Sequence, residues 1–300
     1  MFMRLCLNCR RTSPLAVSEH LVPAGWACIA CGWRPEIVDD IPMCAPALAD
    51  TSNGFDPAAF SELERWEEGH FWFEPRNTLI AGLAMQHFPE ARSYLEVGCG
   101  TGFVLEPFVK SGRYARIVGS ELHPSGLRVA RQRWGHAVEW LQLDARALPA
   151  RGAFDLVGAY DVIEHIAEDE LVLREISAAL RPAGGVILSV PQHPFLWSDA
   201  DDAAKHVRRY RMGELEAKVN AAGLTVVAST SFMSLPLPLM LTSRFLRGRS
   251  GSARVAEVEV RPPRLVNSVL RSILTLEVKV ALAGLPWPIG GSRVVVARKA

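Results

Sequence analysis

The feature that most constrains the fold is a series of alternating strand and helix patterns that runs from Ser93 to the end of the chain. Short apolar stretches such as YLEVG, VILSVP and RVVVA alternate with amphipathic stretches of helical period. Continuous apolar runs are typical of strands buried on both faces. Their alternation with helices therefore predicts a parallel sheet covered by helices on both sides. A chain of 300 residues can hold such a domain and one smaller module.

A glycine-rich loop joins the first predicted strand to the helix after it. The sequence EVGCGTGF places Gly98, Gly100 and Gly102 at this turn, where the backbone can approach a ligand closely. A dinucleotide fingerprint requires glycine or alanine at the position that Phe103 holds. The spacing therefore disfavours NAD.

Three acidic residues stand near the ends of predicted strands. Glu96 precedes the glycine loop, Glu121 ends the second strand and Asp144 ends the third. A carboxylate placed like Glu121 can accept hydrogen bonds from both hydroxyls of a ribose. One placed like Asp144 can accept a hydrogen bond from the exocyclic amine of adenine, so this edge of the sheet is expected to bind a nucleoside.

These motifs resemble the ordered motifs of class I S-adenosylmethionine-dependent methyltransferases. The sequences EVGCGTG, FDLVGAYDVIEHI and LRPAGGVILSVP, together with Glu121 and Asp144, match in order over about residues 93–233 and 292–299. The resemblance implies an α/β, doubly wound, Rossmann-like sheet of seven strands in the order 3-2-1-4-5-7-6, with strand seven antiparallel. It also implies S-adenosylmethionine as cofactor and a methyltransferase domain over 93–300.

The resemblance implies roles for individual residues. Glu96 and the glycine loop would hold the methionine part, Glu121 would bind the ribose, and Asp161 would lie beneath the sulfonium. The implied cofactor-binding residues are Phe73, Arg76, Glu96, Gly98, Cys99, Gly100, Thr101, Gly102, Glu121, Leu122, Asp144, Ala145 and Asp161.

Two further stretches narrow the resemblance. HFWFEPRN and KHVRRY occur together in methyltransferases similar to the ubiquinone-biosynthesis O-methyltransferases, which act on small, often lipid-linked or glycan-related acceptors. In that group an arginine placed like Arg76 commonly pairs with the methionine carboxylate, a role suited to a guanidinium that binds carboxylates bidentately. The aromatic segment 71–73 either packs as part of a helix or forms a lid over the cofactor.

Transfer to a hydroxyl or ammonium group requires a base, and histidine fits because its pKa lies near neutrality. The candidates for catalysis are His165, His193 and His206. The candidates for substrate binding are His193, His206, Arg208, Arg209 and Tyr210. The arginines form a solvated loop, pair with the acidic residues before them, or hold an anionic acceptor. A cluster around Asp161, Glu164, His165 and Asp169 resembles an acid/His cluster that has been linked to a divalent cation, which makes Mg²⁺ an additional cofactor candidate.

Four cysteines near the N-terminus have the spacing of a zinc ribbon. Cys6-x-x-Cys9 and Cys28-x-x-Cys31 are separated by 18 residues. Two such pairs deliver four thiolates to one tetrahedral Zn²⁺, although a redox pair and a site without metal are alternatives. We therefore predict a zinc-ribbon-like module with structural zinc over 1–46, followed by a linker and lid helices over 47–92.

A helical insertion separates the last two predicted strands at 234–289. Its final helix is expected to place one apolar stripe on a single face, formed by Val266, Val269, Leu270, Ile273, Leu276 and Val280. This face either packs on the sheet, as an acceptor-pocket cap, or touches a membrane surface. Basic residues that would assist membrane contact are Arg244, Arg247, Arg249, Arg271 and Lys279. Glu277 falls on the apolar side and needs a polar partner.

The net charge of +1 argues against a strongly electrostatic nucleic-acid binder, so no DNA partner is expected. The sequence shows neither a secretory signal nor a spanning segment, so we expect a cytoplasmic protein with possible peripheral contact at the inner membrane surface. The leading hypothesis is methyl transfer, in line with the breaking bond, to the oxygen of a small or lipid- or glycan-linked acceptor. The alternatives are an RNA base methyltransferase that uses the zinc module to recognise RNA, and a partner-recruiting scaffold with an idle cofactor fold.

Overall fold

The structure is a computed structural model that describes residues 2–16, 19–51, 59–247 and 262–300. Its strands are β1 Met3–Leu5, β2 Thr12–Pro14, β3 Glu36–Val38, β4 Ile41–Met43, β5 Ser93–Val97, β6 Arg116–Glu121, β7 Glu139–Gln142, β8 Ala150–Arg151, β9 Phe154–Tyr160, β10 Leu180–Pro191, β11 Leu224–Phe232 and β12 Ser292–Lys299. Its α-helices are α1 Pro46–Thr51, α2 Phe60–Trp66, α3 Phe73–His87, α4 Glu106–Lys110, α5 Pro124–Trp134, α6 Asp169–Ala179, α7 Asp199–Ala203, α8 Glu214–Ala221, α9 Leu237–Arg247 and α10 Arg264–Leu282.

Within these ranges the main sheet has nine strands, in the order β11-β12-β10-β9-β5-β6-β7-β4-β3. Strands β5, β6, β7, β9 and β10 run parallel to one another, whereas β12 is antiparallel to both β10 and β11. The doubly wound part has seven strands, which are numbered 1 to 7 along the chain from β5 with β8 left out, because β8 belongs to the three-stranded sheet. Their order is 3-2-1-4-5-7-6. The sheet exceeds the expected seven strands because Met43 of β4 pairs in parallel with Gln142 of β7.

The centre of the sheet is apolar on both faces, as the continuous apolar runs predict. All seven residues of β9 are buried, and helices cover both sides. Helix α6 ends at Ala179, before the glycine pair Gly184-Gly185. Leu180 already pairs with Phe154 of β9, and Pro182 disfavours a helical conformation in the residue before it.

Strands of the N-terminal module pair with strands of the rest of the protein at two places. Strand β1 pairs with β2 on one side and with β8 on the other, where Met3 lies opposite Arg151. The hairpin of β3 and β4 continues the main sheet beyond β7. The module therefore packs as part of the large domain and covers what would otherwise be a sheet edge.

The described part of the insertion contains the helices α9 and α10, and α10 lies against α3. The predicted apolar stripe is wrong: none of its six residues is buried, and Val269 and Leu276 are 51% and 58% exposed. The buried apolar residues of α10 are Leu274 and Val278 instead. The helix is rotated because Glu277 is buried and accepts hydrogen bonds from the backbone amides of Ser234 (2.9 Å) and Leu235 (2.8 Å).

The basic residues expected in this insertion are only partly visible. Arg249 lies outside the described residues, and the side chains of Arg244 and Arg247 also fall outside them. Among the parts of the chain that the structure does describe, no helix combines the length and the hydrophobicity needed to cross a bilayer.

Candidate active site

A cavity of about 660 Å³ opens at the carboxyl ends of β5, β6, β7 and β9. Ligands of open α/β sheets bind at this kind of edge, where neighbouring loops diverge. The predicted site residues that line it are Phe73, Arg76, Glu96, Gly98, Cys99, Gly100, Thr101, Glu121, Leu122, Asp144, Ala145, Asp161, His165 and His206. The fold thus brings together most of the residues implied for the cofactor and two of the three histidines.

The glycine loop forms the wall of the cavity through its backbone. Gly98 has a φ of 70°, and a Cβ placed on it would lie 2.4 Å from a methyl group of Val162. A side chain at this position would clash, so only glycine allows the loop to pass so close to the chain after β9. The Gly100 amide donates a hydrogen bond to Glu121 Oε2 at 3.1 Å.

Two buried carboxyl groups lie on the floor of the cavity. Glu121 Oε1 accepts hydrogen bonds from the amides of Leu122 (2.7 Å) and His123 (3.1 Å), and burial raises the pKa of its carboxyl group. Burial likewise raises the pKa of Glu96 to about 8, and the hydroxyl of Tyr94 donates to it at 3.2 Å. These carboxyl groups offer acceptor oxygens to a polar ligand in a place from which water is largely excluded.

The HFWF segment lies over the cavity. Trp72 and Phe73 line it, and the guanidinium of Arg76 lies 4.1 Å from the ring centroid of Trp72 while forming an ion pair with Asp161. Asn267 of α10 fixes the segment, because its Oδ1 accepts the Phe71 amide at 2.9 Å. The segment leads into α3, which begins at Phe73, and the C-terminal insertion holds it beside the cavity. Its role as a lid stays a prediction.

Helix α2 lies over the cavity within the range 47–92 predicted for the linker and lid helices, but its cavity-lining residues were not singled out from the sequence. Phe60, Leu63 and Glu67 line the cavity, and their spacing of three and four residues is the only sequence signal that could have indicated a shared helix face. Glu67 pairs with Arg133 at 3.0 Å and accepts a hydrogen bond from the Thr101 hydroxyl. This network ties α2 to the glycine loop.

His206 stands at the other end of the cavity in a polar cluster. Its Nδ1 lies 2.8 Å from Oδ1 of Asp201, a buried carboxylate that also accepts from Arg209 Nε at 2.7 Å. Its Nε2 is 3.9 Å from Oε1 of Glu164, which is fully buried. Burial, with a further contribution from neighbouring His206, lowers the pKa of His165 to about 4, so His165 is neutral at physiological pH.

The remaining predicted site residues do not line this cavity. They are Gly102, His193, Arg208, Arg209 and Tyr210. The His193 ring stacks on Phe195 with centroids 5.0 Å apart, and the buried hydroxyl of Tyr210 donates to Asp169 at 2.8 Å. Arg208 also pairs with Asp169. Arg209 pairs with Asp201 of the preceding acidic residues, as one of the sequence alternatives had it, whereas the partner of Arg208 lies at the start of α6.

The four N-terminal cysteines converge. Their sulfur atoms all lie within 4.8 Å of one another, with 3.7 Å between Cys6 and Cys31 and 3.6 Å between Cys9 and Cys28. Hydrogen bonds from backbone amides lower the pKa of Cys28 and Cys31 and so favour their thiolate forms. A closed set of four thiolates fits structural Zn²⁺.

Glu164, His165 and His206 form a second group whose ligand atoms lie within 4.8 Å. One oxygen and two nitrogen donors do not suit Mg²⁺, which prefers oxygen ligands. The nearby carboxylate of Asp161 is already paired with Arg76. This donor set therefore does not fit Mg²⁺ as an additional cofactor.

Comparison with known proteins agrees with this geometry. Residues 95–188 match the family model described as "Methyltransferase domain". The ubiquinone biosynthesis O-methyltransferase of Ralstonia nicotianae is 31% identical over 144 residues, which cover 43% of this chain and 60% of that protein. The enzyme of the same name from Methylobacterium nodulans is 28% identical over 206 residues, covering 61% of this chain and 76% of that protein.

Solved structures show the same fold at lower identity. The phosphoethanolamine N-methyltransferase 2 of Haemonchus contortus, in complex with S-adenosyl-L-methionine, has a TM-score of 0.54 and 18% identity. The alignment covers 81% of this chain and 57% of that chain.

The cysteine cluster leads to a prediction on metal content. We expect purified protein to carry about one zinc ion per chain and Cys31→Ser to lose it, since a structural zinc site needs all four thiolates. The melting temperature should fall by several degrees or more, because metal binding contributes to folding. Metal analysis and calorimetry measure both, with Cys44→Ser as control. The prediction would be contradicted if the wild-type protein carried no zinc and Cys31→Ser melted at the same temperature as the wild type.

Proposed function

We propose that this chain, which contains a class I S-adenosylmethionine-dependent methyltransferase domain, transfers a methyl group to a hydroxyl oxygen of a small or lipid-linked acceptor. The observation that carries the proposal is the cavity at the carboxyl ends of the parallel strands. It combines the glycine loop, the buried Glu121 and the aromatic lid in one place.

The residues of the cavity suit the parts of S-adenosylmethionine. Glu121 would accept hydrogen bonds from the ribose hydroxyls, and Leu122, Asp144 and Ala145 would surround the adenine. The glycine loop and Glu96 would hold the methionine part. Arg76 would meet the methionine carboxylate, since an arginine can bind a carboxylate through two parallel hydrogen bonds.

When bound, the cofactor supplies a methyl group that a positive sulfur has already activated. The chain then has to align the acceptor oxygen with the breaking bond and exclude water. Trp72 and Phe73 of the lid and Phe60 of α2 place apolar surface over the cavity for this purpose.

His206 is the best-placed base within the described residues. It lines the cavity, and Asp201 can hold its Nδ1–H, which leaves Nε2 free to accept the proton of an acceptor hydroxyl. The buried carboxylate thereby orients the ring and stabilises the imidazolium that forms, as in other base–orienter pairs. His165, with its lowered pKa, would add a neutral ring beside it.

The comparisons support oxygen as the accepting atom. Both relatives are O-methyltransferases by name. The chain covers 60% of the length of the first of them. The acceptor is therefore a proposal for this chain and is not carried over from these relatives. A hydroxyl on an aromatic ring, with or without an apolar tail, fits an apolar lid next to a base.

A first experiment tests cofactor binding. We expect the protein to bind S-adenosylhomocysteine and Glu121→Gln to weaken binding by about tenfold to a hundredfold, because the ribose loses its charged acceptor. Isothermal titration calorimetry measures the affinity. Glu106→Gln is the matched control, since Glu106 pairs with Lys110 outside the cavity. Equal affinities of wild type and Glu121→Gln would refute the role of Glu121.

A second experiment tests the base. Transfer of a radiolabelled methyl group to a panel of catechols, with and without a prenyl tail, should fall by roughly a hundredfold or more in His206→Ala. His193→Ala is the control, because His193 does not line the cavity. Affinity for S-adenosylhomocysteine should stay the same in both variants. Full activity of His206→Ala would exclude this base.

A separate observation favours peripheral contact with an anionic membrane, from which a lipid-linked acceptor would be taken. Leu239 of α9 and Leu265, Val269 and Leu276 of α10 are 51% to 78% exposed. Lys279 of α10 is also exposed. Exposed apolar side chains next to basic ones are typical of helices that lie in a membrane interface.

Vesicle flotation tests this contact. Wild-type protein should float with vesicles of phosphatidylcholine and phosphatidylserine, and Leu265→Ser/Leu276→Ser should lose most of this binding because its apolar area is removed. Met85→Ser serves as the control, since Met85 is also exposed but belongs to α3. Wild-type protein that stays unbound would end the membrane proposal without affecting methyl transfer.

A further inference from the structure

We infer that the N-terminal module, together with helix α1 that directly follows it, forms one wall of the cofactor cavity, so that Zn²⁺ held by the four cysteines and cofactor held in the cavity strengthen each other's binding. The inference rests on the proposed function, because it takes this cavity as the S-adenosylmethionine site. It assigns cofactor contact to Leu48 and a positioning role to Gln142.

Leu48 brings the module to the cavity. It lies on α1, the helix that directly follows β4, and it lines the cavity together with Leu122, Leu143 and Ala145. These are the positions where the adenine is proposed to bind. Leu48 therefore adds an apolar surface that comes from outside the methyltransferase motifs.

Gln142 connects this wall to the floor. Its side chain is fully buried at the end of β7. Its Oε1 accepts the Ala45 amide at 2.8 Å, and its Nε2 donates to the carbonyls of Ala45 (2.9 Å) and Leu122 (2.8 Å). The Cys44 amide also donates to the Gln142 carbonyl at 2.9 Å. One side chain thus holds the exit of the module against the residue proposed to contact the adenine.

The module also holds the beginning of β7. Oε1 of Glu139, the first residue of this strand, accepts hydrogen bonds from the amides of Leu21 and Val22. These two residues lie between the two cysteine pairs. Both ends of β7, a strand of only four residues, are therefore hydrogen-bonded to the cysteine module. The strand leads directly into Leu143, Asp144 and Ala145 of the cavity.

Metal loss would loosen this arrangement. The module has short strands and depends on its metal site for stability, as small metal-bound units generally do. If the cysteines no longer hold the segment together, β4 and α1 lose their fixed position, and β7 becomes an exposed edge strand. Linkage then requires that bound cofactor stabilise the zinc-loaded module by the same factor.

The first test compares zinc-loaded protein with protein stripped by a chelator, using calorimetry with S-adenosylhomocysteine. We expect the affinity to fall by about tenfold or more on metal removal. The reciprocal measurement follows zinc transfer to a chromogenic chelator, which saturating S-adenosylhomocysteine should slow several-fold. Circular dichroism checks that the stripped protein is still folded.

Two variants test the wall in zinc-loaded protein, so the inference does not depend on the stripped form. Leu48→Ala should keep its zinc and lose roughly fivefold to tenfold in affinity for S-adenosylhomocysteine, because methyl groups are removed from the contact. Gln142→Leu should also keep its zinc and show a similar loss. Leu285→Ala is the matched control, as Leu285 is exposed and lies away from the cavity.

The outcomes separate the two proposals. If zinc-loaded wild type binds S-adenosylhomocysteine, but folded stripped protein and both variants bind it equally well, the coupling is overturned and the proposed function stands. Should the stripped protein unfold, the two variants decide. If zinc-loaded wild type does not bind S-adenosylhomocysteine, the proposed function fails, and the inference fails with it.

Discussion

The structure depends on the position of β5 between β6 and β9. The connections from these parallel strands run to opposite faces of the sheet, so the chain ends diverge above β5 and leave a crevice. This geometry places the cofactor-binding residues proposed at the strand ends. The glycine loop follows β5, Glu121 ends β6, Asp144 follows β7 and Asp161 follows β9. Residues far apart in sequence therefore meet at one edge because parallel strands share their direction.

The crevice tolerates buried carboxyl groups because the loops around it supply backbone amides. Glu121 receives hydrogen bonds from amides on both sides of the crevice. Glu96 lies deeper in the crevice than Glu121 and accepts fewer hydrogen bonds. Burial therefore raises the pKa of its carboxyl group, because the charged form is disfavoured away from water. A ligand that carries hydroxyl and ammonium donors would compensate this cost, which gives these groups a reason to be where they are.

Two parts of the chain outside the methyltransferase motifs pack against the doubly wound sheet and its helices. The cysteine module covers β7 with β4 and β3, and the C-terminal insertion packs α10 on α3. Each addition also reaches the cavity: Leu48 lines it from the module, and Asn267 holds the lid segment from the insertion. The additions thus shape the site as well as the surroundings of the sheet.

Local patterns in the sequence were enough to predict the strands of the doubly wound part, the glycine loop, the carboxylates at strand ends and the convergence of the four cysteines. Each of these is set by spacing within a short segment or by the direction of parallel strands. The sequence did not reveal that Tyr210 and Arg208 are bound to Asp169, that α10 turns Glu277 inward, or that Phe60 and Leu48 line the cavity. Those features depend on which segments pack together, and a side chain can satisfy its hydrogen bonds or bury its apolar surface with any of several partners. Only the tertiary structure selects among those partners, because packing fixes distances between residues that the chain itself leaves free.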